Sequence, residues 1–357
     1  MPPLGDPAAP MRWCTLRHVS SSRKFPTSIA AAYATAVALV VAALTGCATN
    51  REVPAPAVTA VLTPSIEHQG NGTSQSVAGP ITRAWTQALS AFVDAYPRTA
   101  TDAQKQAFNE ALAPQTPVVT TCDPEDATHC WLGPATARRT WMVLSDGAIT
   151  QWLPALAQIV SRQRNLRIDF FVLPNCVNSL DREGLLGVGE FGTTAEMVDA
   201  CVAMHDRALA FARTARPDLV VLAGNAQRVG TSREQVYRAG LLNMIDQLQR
   251  RSEVRLLGKT PQWNVIAVDC LNEELSNLPS CFGRATTNSR PISFQKSVAA
   301  ESKSVFVDTR PWFCRGAICP LFIHDNLATI DGSRVSAAMA VALADVLYEN
   351  LTSATKG

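Results

Sequence analysis

Residues 141–156 read WMVLSDGAITQWLPAL, and this stretch decides the fold. It opens with four apolar residues, which is typical of a strand buried in a sheet, and it ends with apolar side chains at helical spacing. The connection from Ser145 to Ala148 is short and consists of small and acidic residues. A turn of this kind lifts a side chain clear of the sheet and directs the amides of a helix N-terminus towards it. The sequence therefore predicts a site at this turn.

Alternating strands and helices continue along the chain. We predict strands at residues 141–145, 167–173, 218–223, 264–268 and 304–308, and helices at 149–163, 194–214, 231–251 and 335–351. Short apolar strands separated by helices of two or more turns indicate a parallel sheet with helices on both faces. In a three-layer α/β fold of this type, ligands bind at the carboxyl ends of the strands.

The N-terminal region indicates export. Basic residues precede an uncharged apolar run at residues 29–43, and LTGC, ending at Cys47, follows closely. This is the pattern of a lipoprotein signal peptide, in which Cys47 receives diacylglycerol and palmitate; an uncleaved transmembrane anchor is the alternative. The domain organisation that we predict is a signal peptide at 1–46, a flexible tether at 47–80, a helical lead-in at 81–113 and an α/β domain at 114–352.

Charge and cysteine content limit the expected partners. Residues 1–46 carry four of the 32 basic and one of the 30 acidic side chains, so the rest of the chain is near neutral and nucleic acid is not an expected partner.

Eight cysteines follow Cys47, and although they permit 105 pairings, proximity in sequence favours four local disulfides. The favoured pairs are Cys122 with Cys130, Cys176 with Cys201, Cys270 with Cys281 and Cys314 with Cys319. Neither Cys-x-x-Cys nor His-x-x-His spacing occurs, so we expect no metal and no cofactor.

Three loops at predicted strand ends carry a family resemblance. They read SDGA after the first strand, AGNAQR after the third and CPLFIHDNLATIDGSRVS before the last helix. In this order they resemble the blocks of SGNH hydrolases, and more closely the extracytoplasmic SGNH domain fused to membrane O-acyltransferases of the acyltransferase type three family. The first block of that domain reads Gly-Asp-Ser-His-Ala-Ala-Gln-Trp-Leu-Pro-Ala-Leu, in register with residues 145–156. The resemblance covers about residues 110–351 and implies an SGNH-hydrolase-like, flavodoxin-like sheet.

The resemblance also shows substitutions at the catalytic positions. Gly147 stands at the nucleophile position and Arg334 at the general-base position, whereas Asp331 is retained. A serine nucleophile needs a neutral imidazole to accept its proton, and an arginine is never deprotonated in proteins. A rearranged site, with Ser145 as the nucleophile and His324 as the base, is the alternative.

Binding residues are expected in the same crevice. They are Asp146, Gly147, Gln151, Trp152 and Asn225. Asn225 and the amide of Gly147 are predicted to form a nest for an anion or a carbonyl oxygen, although an asparagine also favours a strand-end turn. Trp152 and Trp312 fit either the core or a binding platform. His205, in a predicted helix, is expected at the surface.

These observations lead to one hypothesis and two alternatives. The hypothesis is an exported cell-envelope lipoprotein, held at the membrane by its lipid, whose SGNH domain is catalytically degenerate. Its crevice is expected to bind an acyl or glycan group or to dock on an envelope acyltransferase, because the membrane half of the resembled family has no counterpart in the sequence. The alternatives are an active carbohydrate O-acyl esterase or acyltransferase that uses the rearranged site, and a structural envelope module.

Overall fold

The strand at the start of the deciding stretch is the central strand of a sheet. The computed structural model describes residues 78–113, 117–185, 194–224, 233–263, 266–274, 277–284 and 289–353. All of them belong to one compact unit, Asn71–Gly357. The strands are β1 (Thr121–Cys122), β2 (His129–Leu132), β3 (Arg139–Ser145), β4 (Leu166–Val172), β5 (Leu219–Ala223), β6 (Glu253–Leu257), β7 (Gly283–Arg284), β8 (Val305–Val307), β9 (Ile318–Cys319), β10 (Phe322–Ile323) and β11 (Asn326–Leu327).

Seven of these strands form the main sheet, in the order β1-β2-β4-β3-β5-β6-β8. The strands from β4 to β8 in this order are parallel, whereas β2 pairs antiparallel with β4 and β1 antiparallel with β2. The parallel part has the flavodoxin-like order, in which the chain goes from β3 to β4 on one side and then returns to β5 on the other. The predicted α/β fold is confirmed, and its topological switch point lies between β3 and β5.

Helices cover both faces of the sheet. They are α1 (Pro80–Asp94), α2 (Asp102–Leu112), α3 (Leu153–Arg162), α4 (Arg182–Leu185), α5 (Ala195–Ala215), α6 (Glu234–Gln249), α7 (Ala267–Glu274), α8 (Ser289–Ser302), α9 (Ala337–Ala342) and α10 (Ala344–Thr352). Because side chains alternate along a strand, β3 contributes Trp141 and Val143 to one apolar cluster and Met142 and Leu144 to the other. All four side chains are at most 1% exposed, which accounts for the uninterrupted apolar run in the sequence.

The predicted strand at residues 264–268 is wrong. Residues 264–265 lie outside the described ranges, and α7 begins at Ala267, where Ala267 and Leu271 are both fully buried at helical spacing. The strand that pairs with β5 and β8 is β6 instead. Arg255 lies in the centre of β6 and is 1% exposed, and its charge interrupts the apolar run by which a buried strand is predicted. The predicted C-terminal helix is divided into α9 and α10.

The helices α1 and α2 occupy most of residues 81–113, and both are packed into the domain. Leu89 and Phe108 belong to the same apolar cluster as the central strand. Glu349 of α10 caps α1, because its carboxylate accepts hydrogen bonds from the backbone amides of Ile81 at 2.9 Å and Thr82 at 2.7 Å. A Cβ atom at Gly79 would lie 2.2 Å from the Glu349 carboxyl carbon, so a larger residue at this position would displace the capping carboxylate.

Residues 1–77, which include the predicted signal peptide, Cys47 and nearly all of the tether, lie outside the described ranges. Within those ranges, we find no helix with both the length and the apolar character needed to cross a bilayer.

Four disulfides join neighbouring parts of the chain. They connect Cys122 with Cys130, Cys176 with Cys201, Cys270 with Cys281 and Cys314 with Cys319. These are the pairs that proximity in sequence favours, and none spans more than 25 residues. Each therefore fastens a loop or a helix to its own neighbourhood of the fold.

The expectation that His205 lies at the surface is wrong. Its side chain is on the buried face of α5 and is 1% exposed. Burial lowers the pKa of His205 to about 4, and the nearby backbone of Ser179 opposes this shift without outweighing it. The imidazole is therefore neutral in the folded protein at neutral pH.

We predict that His205 makes the fold sensitive to mild acid. An unfolded histidine binds a proton near pH 6.5, whereas the folded protein resists protonation down to about pH 4, so stability is lost as the pH falls between these values. A shift of this size is worth about 3 kcal/mol in the free energy of unfolding once the histidine is fully protonated, and about 2 kcal/mol of it should be lost between pH 7 and pH 4.5. Denaturant unfolding at pH 7 and pH 4.5 measures it in the wild type and in His205→Gln, whose decrease should be distinctly smaller. Equal decreases in the two proteins would contradict the prediction.

Candidate functional site

The turn after β3 satisfies its own backbone amides. Ser145 is fully buried, and its Oγ accepts hydrogen bonds from the amides of Gly147 at 3.2 Å and Ile149 at 3.1 Å. The amide of Ala148 donates to Oδ1 of Asp146 at 3.1 Å. The sequence leads to this arrangement because Ser and Asp side chains readily accept hydrogen bonds from amides a few residues ahead. The three amides that could face a ligand are thus already paired within the turn.

This pairing contradicts two expectations from the sequence. The Gly147 amide donates to Ser145, so it is not free to form the predicted nest, and Asn225 lies outside the described residues. Ser145 is 0% exposed and its hydroxyl oxygen is held by two amides, so it is not placed as a nucleophile. Its observed role is to cap the short 3-10 helix Ala148–Trp152 that follows the turn.

Gly147 occupies the tip of the turn and leaves space above it. Its backbone has φ 101°, in the left-handed region that favours glycine. Among the described residues, a Cβ atom built there would meet only the Cα of Pro174, at 3.9 Å. The position therefore has room for a side chain or a ligand atom, but a residue other than glycine would adopt a strained backbone.

Gln151 connects the turn to the loop before α9. Its Oε1 accepts a hydrogen bond from the amide of Val335 at 2.9 Å, and its Nε2 donates to the carbonyl of Ala148 at 3.1 Å. Thr260 donates from Oγ1 to the carbonyl of Ser333 at 3.3 Å. Both the oxygen and the nitrogen of the Gln151 side-chain amide are thus hydrogen-bonded within the protein. Gln151, predicted as a binding residue, positions the Arg334 loop beside the turn.

Asp331 and Arg334 form an ion pair in the loop that Gln151 joins to the turn. Arg334 Nε donates to Oδ2 of Asp331 at 2.6 Å, while Oδ1 accepts from the amides of Arg334 at 2.8 Å and Ser333 at 2.9 Å. Burial raises the pKa of Asp331, but these hydrogen bonds and the guanidinium charge outweigh it and lower the pKa below its usual range. The Arg334 side chain is 68% exposed. Asp331 is therefore ionised and is engaged by the residue at the expected base position.

A polar group that the sequence did not indicate lies at the switch point. Asn178 is 4% exposed, and its Nδ2 lies 3.4 Å from the carbonyl of Leu144 and 3.5 Å from that of Ala223, so it bridges the ends of β3 and β5. Gly224 permits this approach, since a Cβ atom there would lie 3.2 Å from Asn178 Nδ2 and 3.7 Å from the Asp146 carboxylate. Asn178 belongs to the loop after β4, which carries no apolar or catalytic pattern in the sequence.

Asp146 is buried close to this bridge. It is 7% exposed, and its charge adds to burial in raising the pKa of Tyr237. Tyr237, on α6, is itself buried and stacks on Phe294 with ring centroids 5.4 Å apart. The phenol is therefore neutral, and the predicted binding residue Asp146 lies mainly inside the protein.

The remaining predicted residues are not brought to the crevice. Trp152 is 1% exposed and packs edge-on against Trp312, with ring centroids 5.8 Å apart, so both indoles belong to the core. His324 is exposed in the turn between β10 and β11, and its ring contacts Trp85 and Phe92 of α1. The structure therefore does not assemble Ser145 and His324 into a rearranged site.

Comparison with known families identifies the domain. The family described as SGNH domain (fused to AT3 domains) matches residues 118–349, which is more than half of the chain. The chain belongs to this SGNH domain family. The match begins after α1 and α2, so these helices are packed onto the SGNH domain from outside the matched region. No curated protein sequence matches the chain.

Solved structures with a similar fold are distant in sequence. The periplasmic domain of a lipopolysaccharide acetyltransferase from Salmonella ser. Paratyphi A is 12% identical with a TM-score of 0.48, covering 60% of this chain and 83% of that one. A putative SGNH hydrolase from Slackia heliotrinireducens is 16% identical with a TM-score of 0.39, covering 60% and 98%. A peptidoglycan O-acetylesterase is 16% identical with a TM-score of 0.33, covering 53% and 48%.

Proposed function

We propose that this SGNH domain binds an acylated glycan or an acyl group without cleaving it. The observation that carries the proposal is the turn after β3, where the half-buried tip is Gly147 and the amides of the turn donate to Ser145 and Asp146. Ester cleavage requires a nucleophile and a set of free donors for the oxyanion. The described part of the turn offers neither, whereas the open space above Gly147 can accept a ligand atom.

The ion pair of Asp331 and Arg334 supports the same proposal. A base in this position must accept a proton from the nucleophile, and Arg334 cannot do so. Its exposed guanidinium is a hydrogen-bond donor, which suits the oxygen atoms of a glycan or of an ester carbonyl. The domain would then act as a binding module for envelope glycans or for a partner acyltransferase.

Activity and binding measured together test this proposal. The unmodified protein should neither react with a fluorophosphonate nor hydrolyse p-nitrophenyl acetate above the rate of the denatured chain, yet O-acetylated oligosaccharides should bind. Thr150→Trp, at an exposed position next to the turn, should block binding, and Thr214→Trp, at an exposed position on α5, should not. Robust hydrolysis that is lost in Ser145→Ala would overturn the proposal in favour of an active esterase. If the protein neither hydrolyses the ester nor binds the oligosaccharide, a structural envelope module would be favoured.

We also propose that the chain is exported and anchored to the membrane through a lipid on Cys47. The support is the sequence alone, with basic residues and an apolar run before LTGC. Globomycin, which blocks cleavage of lipoprotein signal peptides, should leave a longer form of the chain, and Cys47→Ala should abolish incorporation of labelled palmitate. Cys14→Ala is the matched control and should change neither result.

A further inference from the structure

Two cysteines and a histidine meet at a buried point near α5. Cys201 and His205 are four residues apart on this helix, so they lie on the same face, and Cys201 is joined to Cys176 in the loop after β4. Nε2 of His205 lies 3.4 Å from Sγ of Cys176. The two cysteines are each 3% exposed and His205 is 1% exposed.

The hydrogen bonding of His205 is poor for a buried imidazole. Its Nε2 faces a disulfide sulfur, which is a weak acceptor, and Nδ1 has no hydrogen bond of normal geometry among the described residues, although the Ser179 backbone lies nearby. A buried polar atom without a partner is destabilising, because its hydrogen bond to water is lost and not replaced. The surroundings of His205 are therefore unfavourable while the Cys176–Cys201 disulfide is intact, and a buried polar group of this kind needs an explanation.

The three side chains have the spacing of metal ligands. The two Sγ atoms and a His205 ring nitrogen all lie within 4.8 Å of one another. A sulfur and a nitrogen bound to the same tetrahedral Zn²⁺, at about 2.3 and 2.0 Å from it, are about 3.6 Å apart. The observed separation of 3.4 Å between Nε2 and Sγ is close to this value. In the disulfide the sulfur atoms do not bind a cation, because the ligands of a metal are thiolates.

A pocket leads to the sulfur atoms. It has a volume of about 70 Å³ and is lined by both cysteines together with Leu173, Leu185 and Met197. A cavity needs about 10–15 Å³ of such space to hold one water, so the pocket has room for at least one water molecule. The pocket gives a cation a route to the cluster and provides space for a water as the fourth ligand.

We propose that reduction of the Cys176–Cys201 disulfide creates a Zn²⁺ site made of two thiolates and the His205 imidazole. A dithiol reductant supplies two electrons and two protons, which break the S–S bond and form two thiols, and the dithiol becomes a disulfide. Binding of Zn²⁺ then releases the two thiol protons to solvent. In this inference the disulfide gates the site, so the protein binds the metal only when reduced.

Cobalt binding by the reduced full chain tests the proposal. The chain is reduced with a dithiol, and the dithiol is removed under anaerobic conditions. The reduced chain is then titrated with Co²⁺, whose complexes with thiolates absorb strongly. The reduced wild type should bind one equivalent that Zn²⁺ displaces, and the oxidised wild type should bind none. Cys176→Ser with Cys201→Ser should abolish the signal, and His205→Gln should weaken binding at least about tenfold. Cys314→Ser with Cys319→Ser is the matched control and should retain it.

Circular dichroism and peptide mapping make each outcome decisive. The reduced protein should retain its helical signal, and Zn²⁺ should protect Cys176 and Cys201 selectively from alkylation. Loss of the folded signal on reduction would overturn the proposal, since the folded reduced site would not exist. Binding that is the same in His205→Gln as in the wild type, or no binding beyond that of Cys176→Ser with Cys201→Ser, would overturn it as well.

Discussion

A triple variant, Ser145→Gly with Gly147→Ser and Arg334→His, should hydrolyse p-nitrophenyl acetate at least about 100-fold faster than any of its single variants. The family has a serine at position 147 and a histidine at position 334 by resemblance, and Asp331 already contacts residue 334. Removal of the Ser145 hydroxyl frees the amides of residues 147 and 149, which then become available as oxyanion donors. Each donor of this kind is worth about 10²–10³ in turnover.

The single variants should remain nearly inactive for separate reasons. Gly147→Ser introduces a hydroxyl that has no base, and its backbone at φ 101° costs about 1–3 kcal/mol. Arg334→His supplies a base without a nucleophile. Residues of a catalytic group act as a unit, so the effect of the triple change should exceed the product of the single effects.

Hydrolysis rates and fluorophosphonate labelling check this prediction. The double variant Gly147→Ser with Arg334→His is the informative intermediate, because it retains the Ser145 hydroxyl that holds the turn amides. It should exceed the product of its single variants but hydrolyse more slowly than the triple variant. Circular dichroism shows whether the variants are folded. A folded triple variant with no more activity than Gly147→Ser would show that the geometry of the turn and the Arg334 loop does not support a catalytic group.

Replacing Arg255 with alanine should lower the free energy of unfolding by about 3–5 kcal/mol. Arg255 is 1% exposed in the centre of β6, where Nη1 donates to the carbonyl of Asn350 at 2.9 Å and Nη2 contacts Glu253 and the carbonyl of Ser353. These carbonyls end α10, whose last turn has no helical amide to satisfy them. The alanine variant leaves a cavity, two carbonyls without donors and an acidic side chain without its cation.

Guanidinium chloride unfolding measures the loss, and two other variants define its cause. Arg250→Ala removes an exposed arginine that pairs with Asp246 on α6, so it should cost no more than about 0.5 kcal/mol. Arg255→Met fills the volume without donating hydrogen bonds and should recover only part of the lost stability. If Arg255→Met were as stable as the wild type, the contacts with α10 would contribute nothing measurable.

The fold could be predicted from the sequence where burial alone sets the pattern. The strands β3 and β5 carry buried apolar residues on both faces, and β4 combines an apolar face with the adjacent pair Phe170 and Phe171, so their runs of apolar residues are visible without a structure. The strand β6 was missed because Arg255 is buried by pairing with backbone carbonyls more than 90 residues away, an interaction that no local pattern records. The helix α7 was mistaken for a strand because its apolar residues are few and close together.

The position of the site was predictable, but its hydrogen bonding was not. The turn at Ser145 to Ala148 follows the central strand as expected, because a buried run and a helical pattern meet there. The choice of acceptor for each amide depends on side-chain rotamers, so Ser145 was read as a candidate nucleophile although it is a cap. Trp152 was ambiguous for a similar reason, since an indole suits a core and a ligand surface equally well. The i, i+4 spacing of Cys201 and His205 is visible in the sequence, but the approach of Cys176 to this pair depends on the fold.

The cap that Glu349 places on α1 brings together the two ends of the described chain. The amides of Ile81 and Thr82 depend on a carboxylate 268 and 267 residues further along, so α1 gains its cap only after the last helix has been synthesised and docked. Contacts this distant in sequence form late, because the whole intervening chain must first be closed into a loop. The same proximity makes the domain suitable for circular permutation, in which a short linker joins residues 353 and 78 and new termini are opened in a surface loop.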